Sequence, residues 1–310
     1  MNSILATAIE TVSSGGHNGA LVLSRHAAHP ENRSETGSVF YDRTIFMDSD
    51  ILEGCMGDRA KHPVRTTEKS LEIVATLNRL GKARVTTLAD ELAMGKSAVH
   101  NHLSTLEEHG YVIKDEDTKT YRLSLKFLDI GGQIRSEIDV YKVAEPKVEE
   151  LATESGELVH LVVEEDGMGV YLSRSKGERA VDLDTYVGCK HHMHSTAFGK
   201  AILAHLPQER VGEIVDQHGL PEVTPRTITS RDELFEELER TRDRGFAVDD
   251  EERLEGLRCI AAPIRFDSDI IGAISISGPT ARIDDTWENN EFVDQLCRAA
   301  NVIELNKYKV

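Results

Sequence analysis

Residues 84–123 read RVTTLADELAMGKSAVHNHLSTLEEHGYVIKDEDTKTYRL, and their punctuation decides the architecture of the N-terminal half. Thr86 or Thr87 is placed to cap a short helix running to Ala93, with Leu88 and Leu92 one turn apart. Met94-Gly95 makes a tight turn. The next helix is expected from Lys96 to about His109, stopped by Gly110. Within it Val99, Leu103 and Leu106 recur at i, i+4 and i+7, one inward stripe. Tyr111–Ile113 and Thr120–Leu123 alternate like strands around a polar turn, Lys114 to Lys119. Upstream, from about Pro63, Leu71, Val74, Leu77 and Leu80 repeat at roughly helical spacing until Gly81. Helix, helix, turn, helix and hairpin, in that order, is a winged helix-turn-helix.

The outward face of the 96–109 helix carries Ser97, His100, Asn101 and Ser104, with Lys96 at the helix start. Small or flat polar side chains hydrogen-bond base edges in a major groove without clashing, and the N-terminal part of this second helix is where the motif touches bases. Lys114 and Lys119 in the wing are set for phosphates, flanked by Arg65, Lys69, Lys82 and Arg84. Phosphate contacts would set register while Ser97, His100 and Asn101 read sequence. A polar face used only for protein contact is the plainer alternative; the complete order of elements favours double-stranded DNA as partner.

Charge is distributed in keeping with that reading. The 310 residues carry a net −18, with Arg more frequent than Lys. Residues 61–125 nevertheless hold ten Lys and Arg against nine Asp and Glu, whereas 126–310 hold 22 against 37. An acidic surface suits solubility in concentrated salt, and a halophilic source is expected. No apolar run reaches the ~18 residues of a membrane span, no secretory signal is visible, and the cysteines Cys55, Cys189, Cys259 and Cys297 are widely spaced without a CxxC. The expectation is a reduced, soluble, cytoplasmic protein with no membrane partner.

Four regions follow. Residues 1–60, rich in Ser, Gly, His and Asn, read as a disordered extension or a start assigned too early. Residues 61–125 form the winged helix-turn-helix. Residues 126–156 form linker helices, about 126–140 and 142–155, with Pro146 in the first turn of the second. Residues 157–310 are mixed. Strands are expected at 158–164, 169–173, 180–186, 245–248, 259–265 and 271–277, and helices at 197–204, 208–217, 231–244 and 286–308. The whole is α+β, with one largely antiparallel sheet in the C-terminal half.

Several short pieces, in order, resemble the IclR family of regulators over residues 61–310. They include Lys96-Ser97-Ala98-Val99-His100, Val143-Ala144-Glu145-Pro146, His194-Ser195-Thr196-Ala197-Phe198-Gly199-Lys200-Ala201, Gly245-Phe246-Ala247-Val248-Asp249-Asp250-Glu251-Glu252, Gly256-Leu257-Arg258-Cys259 and Ser275-Ile276-Ser277-Gly278-Pro279. The resemblance implies a GAF-like effector-binding domain. It also implies a homodimer joined through the DNA-binding half, often a homotetramer, and effectors that are small organic acids, aromatic acids or sugar derivatives. Asp249 and Cys259 match its ligand-contacting positions, and Leu257 its apolar wall. Ser275 and Ser277 alternate with Ile276, so both hydroxyls share one face. Ala197 and Phe198 precede Gly199 at a helix N-terminus, where free N–H groups suit a carboxylate. Phe198 is bulkier than the small residue usual there. The implied function is metabolite-controlled transcription regulation of metabolic genes, with no catalytic residue and no cofactor. The 126–142 helix is the lever that resets the spacing of the two DNA-reading helices.

Cys189, His191, His192 and His194 form a second candidate site. Close spacing of zinc- or copper-binding side chains keeps open a metal-responsive regulator or a metal-dependent enzyme. A histidine-rich loop beside the effector site is the preferred reading.

Overall fold

The computed structural model describes residues 61–284, 286 and 290–307; the expectation for residues 1–60 lies outside them. Helix α1 (Arg65–Leu80) ends where Gly81 takes φ 72°, a left-handed value that glycine adopts without strain. Its buried stripe is Ile73, Thr76 and Leu77. Leu71, expected to face inward, is 63% exposed, because it lies about 200° around the helix from Ile73. Helix α2 (Val85–Glu91) starts after Arg84 without a side-chain cap; neither Thr86 nor Thr87 caps it, since both already lie in its first turn. Helix α3 (Lys96–Glu108) follows a turn in which the Met94 N–H donates to Ala89 O at 2.9 Å.

Strands β1 (Val112–Asp115) and β2 (Thr120–Leu123) pair antiparallel, Val112 opposite Leu123. The Asp115 carboxylate shapes their turn by accepting the N–H groups of Asp117 and Thr118 at 3.0 and 2.9 Å. Tyr121 and Ala83 exchange two backbone hydrogen bonds of 3.0 and 2.7 Å, which tie the wing to the α1–α2 connection. Ile73, Leu77, Leu88, Val99, Leu103, Val112 and Tyr121 close a small core of their own.

Helix α4 (Lys126–Glu137) buries no residue. Helix α5 (Asp139–Ser155) is continuous through Pro146, its eighth residue, so the proline does not sit in the first turn as expected. Pro146 and Lys142 are both exposed, so the carbonyl that the proline leaves without a donor lies on the water side. Although read as part of a linker, α5 packs Val140, Ala144, Val148 and Leu151 onto the sheet.

The sheet comprises β3 (Leu158–Glu165), β4 (Met168–Lys176), β5 (Lys190–His192), β6 (Ala247–Asp250), β7 (Leu257–Phe266) and β8 (Asp269–Pro279). Their order is β5-β4-β3-β8-β7-β6, every neighbour antiparallel. Alternation along the strands makes two faces. Val159, Leu161, Ile260, Ala262, Ile274 and Ile276 meet α5 and α9 (Glu291–Lys307). Val162, Tyr171, Ala247, Leu257, Cys259, Ala261 and Ala273 meet α6 (Ala197–Leu203), α7 (Gln208–His218) and α8 (Arg231–Arg244). The chain is therefore α+β, a winged helix-turn-helix followed by a sheet with helices on both faces.

The strand expected at 180–186 is absent. Among the described residues that segment is irregular, and its Leu183 and Thr185 carbonyls accept from Arg174 rather than from a neighbouring strand. The sheet edge is taken by β5 instead. Gly199 shows how tightly α6 is seated: a Cβ there would stand 2.1 Å from Met193 O.

Candidate functional site

The outward face of α3 is built as its spacing requires. Val99 and Leu103 are buried and Leu106 half-buried, while Lys96, Ser97, His100, Asn101 and Ser104 are all exposed. The helix is held from behind by the core and by a 2.8 Å hydrogen bond between Ser70 Oγ and His102 Nδ1. The wing lysines are exposed to different degrees and share one partner: Lys114 and Lys119 each bond Glu116, at 2.7 and 2.8 Å. These two ammonium groups hold the Glu116 carboxyl down to about 2. Exposed ion pairs of this kind are worth little, so Glu116 gives up these lysines at small cost.

The second constellation lies on the α6–α8 face of the sheet. Register places Asp249 opposite Cys259 and Cys259 opposite Ser277, then Ser275 opposite His160 on β3 and His160 opposite Arg174 on β4. All seven residues expected to meet an effector share this face. Ala197, Phe198, Leu257 and Cys259 pack in its apolar cluster, while Asp249, Ser275 and Ser277 are buried beside it. Burial pushes up the Cys259 thiol and the Asp249 carboxyl. A cysteine held as a thiol is a small polarisable wall, not a nucleophile. Asp249 Oδ1 accepts the N–H groups of Glu252 and Arg253 at 2.8 and 3.3 Å, capping the β6–β7 turn. Ser275 Oγ is buried without a hydrogen-bond partner among the described residues.

One expected feature is reduced. The N–H of Gly199 donates to the Thr196 hydroxyl at 3.3 Å, so it is not free for a carboxylate. Ala197 and Phe198 remain on this face, and Phe198 stacks edgewise on Tyr171 with centroids 5.2 Å apart. Gly169 makes room for that ring, since a Cβ there would stand 2.4 Å from Phe198 Cε2.

The metal candidates are not brought together. Adjacent residues of a strand point to opposite faces. His191 turns toward Tyr171, 5.5 Å between centroids, and His192 toward His194, 5.6 Å between centroids. His191 Nε2 lies 3.4 Å from Cys189 Sγ but also accepts from the Arg253 guanidinium at 3.2 Å, and a cation there opposes a second cation. His194 Nε2 bonds Pro221 O at 3.0 Å. Among the described residues no three such ligands are arranged around one point.

Other residues on this face escaped the sequence reading. His160 is 1% exposed, bonds the Thr185 hydroxyl at 3.1 Å and is held down to about 3 by burial and the nearby Arg253 and Arg174 charges. Lys200 and Glu252 form an ion pair with side chains only 1% and 9% exposed; burial pushes the Glu252 carboxyl up to about 7. A histidine inside the apolar run Leu158-Val159-His160-Leu161 was the available signal. Arg253 was hidden in an acidic run.

Fold and site define a winged-helix regulator with a separate ligand-sensing domain. Two family profiles match: the IclR helix-turn-helix domain over residues 66–116 and the bacterial transcriptional regulator IclR C-terminal domain over residues 132–305. The chain is 31% identical over 238 residues to the HTH-type transcriptional regulator XynR of Escherichia coli, covering 76% of this chain and 94% of that one. It is 32% identical over 240 residues to the probable HTH-type transcriptional regulator ArcR of Halobacterium salinarum, covering 76% and 91%. The crystal structure of Thermotoga maritima IclR superposes with a TM-score of 0.68 at 30% identity, covering 78% of this chain and 98% of that one. The chain belongs to the IclR family. It is a DNA-binding transcriptional regulator with a C-terminal effector domain, and not an enzyme. Among the described residues no helix is long and apolar enough to cross a membrane.

Proposed function

We infer that the protein regulates metabolic genes in the cytoplasm as a homodimer or homotetramer, in response to a small anionic effector held on the α6–α8 face of the sheet. The observation that carries the DNA reading is the exposed row Lys96, Ser97, His100, Asn101 and Ser104 on a helix whose opposite stripe packs into the core. Ser97, His100 and Asn101 read base edges, Ser104 extends that row, and Lys96, Lys114 and Lys119 take phosphates. Asp249, Cys259, Ser275 and Ser277 line the effector site, with Ala197, Phe198 and Leu257 as its apolar side. Dimer formation is supported by α4 and its approach, where Leu125, Leu128 and Ile134 are 74%, 72% and 60% exposed; three large apolar side chains on one short segment need a partner. The acidic surface supports work in concentrated salt.

Selection of bound duplexes from a random pool tests this reading. The expected result is one enriched motif of two half-sites. With Asn101→Ala, specific affinity falls by about 1–3 kcal/mol at one position of each half-site, while non-specific affinity is retained. Failure to enrich any motif, or equal losses in specific and non-specific binding, contradicts base reading by this face.

A further inference from the structure

We propose that Arg253 is the charge anchor of the effector site, and that the effector it selects is a small hydroxylated monocarboxylate. The inference rests on the reading of residues 157–310 as the effector half. Arg253 follows four acidic residues, yet each is committed elsewhere. Asp249 caps the turn through Oδ1, Asp250 binds Arg226 and Arg258, Glu251 binds Arg226, and Glu252 binds Lys200. Among the described residues the Arg253 guanidinium has no carboxylate partner; it is half-buried and donates to His191 Nε2 at 3.2 Å. A guanidinium carries five donors in a fork that fits a carboxylate, and one contact to an imidazole leaves most of them unused.

The side chain turns over the polar face and not away from it. Its charge acts on His160, Tyr171, Cys189, His191, Asp249 and Cys259, which come from β3 to β7 and the segment before β5. Burial keeps His160 and His191 neutral, so they offer hydrogen bonds without adding charge. On the same face Ser275, 1% exposed, has a hydroxyl with no partner among the described residues. A buried polar group in that state calls for a partner, and a ligand hydroxyl or carboxylate supplies one. Ser277 and the Asp249 carboxylate add acceptors suited to hydroxyl groups. One guanidinium without an ion-pair contact among the described residues calls for one carboxylate; a second would face Asp249. Leu257 and Phe198 close the sides with apolar surface.

Titration calorimetry on the full chain in concentrated potassium chloride tests this with lactate, glycerate, D-xylonate and D-gluconate, each paired with its neutral amide. The expected result is that at least one acid binds, and binds its site about thirty-fold more tightly than its amide. Arg253→Gln loses about thirty-fold for that acid, Arg253→Lys recovers most of the loss, and both change affinity for the amide far less. Thermal melting of both variants checks folding. Unchanged acid affinity in Arg253→Gln overturns the anchor and leaves the effector reading standing. An amide that binds as tightly as its acid overturns the ligand class. If no acid binds the wild type, class and anchor both fall; if, in addition, xylitol and sorbitol neither bind nor alter DNA affinity, the effector reading falls with them.

Discussion

Single side chains here are set by what burial does to charge. Lys200 and Glu252 are withdrawn from water together, and their attraction has to offset two desolvation costs. Desolvation raises the Glu252 carboxyl from an ordinary 4.5 to about 7. The folded protein therefore holds a proton there that the unfolded chain has released, so this group's contribution to stability falls as pH rises from about 4.5 to about 7 and is level above that. The buried histidines His160 and His194, held down to about 3 and 4, act in the opposite sense. The stability difference between wild type and Glu252→Gln cancels them. Measured by urea unfolding from pH 5 to pH 8, that difference should move against the wild type with rising pH and then flatten; a pH-independent difference would refute the assignment. On the DNA side, Glu116→Gln releases Lys114 and Lys119 from their shared partner. Non-specific DNA affinity should rise severalfold and the dependence of log K on log salt should steepen by about one. An unchanged slope would mean that neither lysine meets phosphate.

At the scale of elements, α4 stands out because it buries nothing while α5, one residue further on, buries seven. The α5 stripe meets a sheet, whereas Leu128 and Ile134 of α4 lie exposed. Ile134→Glu should therefore leave the fold intact and shift sedimentation toward the monomer, with DNA affinity for a paired half-site lost by at least tenfold. A variant that sediments like wild type would place the contact elsewhere. Most elements could be read beforehand, because 3.6-residue and two-residue periods are written in local sequence: α3, α8 and the wing hairpin fall within a residue or two of their expected limits. Three features could not. The 180–186 segment has strand-like residues but its carbonyls are claimed by Arg174, a partner nine to eleven residues away. Leu71 is apolar yet off-phase. Pro146 sits mid-helix because its freed carbonyl lies on the water side, which no local pattern records.

For the whole molecule, the alternation Ala273, Ser275, Ser277 against Ile274, Ile276 divides the work: one sheet face is sealed by α5 and α9, the other keeps polar groups under α6 to α8. Five of the seven expected effector residues lie on strands of that second face because motif spacing carries strand parity, and Ala197 and Phe198 meet it from α6. Arg253, His160 and the Lys200–Glu252 pair were not legible, since their roles depend on which charges the fold leaves unmatched. Within the histidine cluster the strand sends His191 and His192 in two directions, which proximity in sequence does not record. Footprinting of the purified protein on the DNA upstream of its own coding region, in concentrated potassium chloride, with and without the panel of small hydroxy acids, tests the central claim most directly. The prediction is a protected pair of half-sites whose occupancy one acid changes at least tenfold, with the change abolished in Ser275→Ala. Protection that no acid alters, or a response that persists undiminished when Ser275, Ser277 and Arg253 are all replaced, would contradict it.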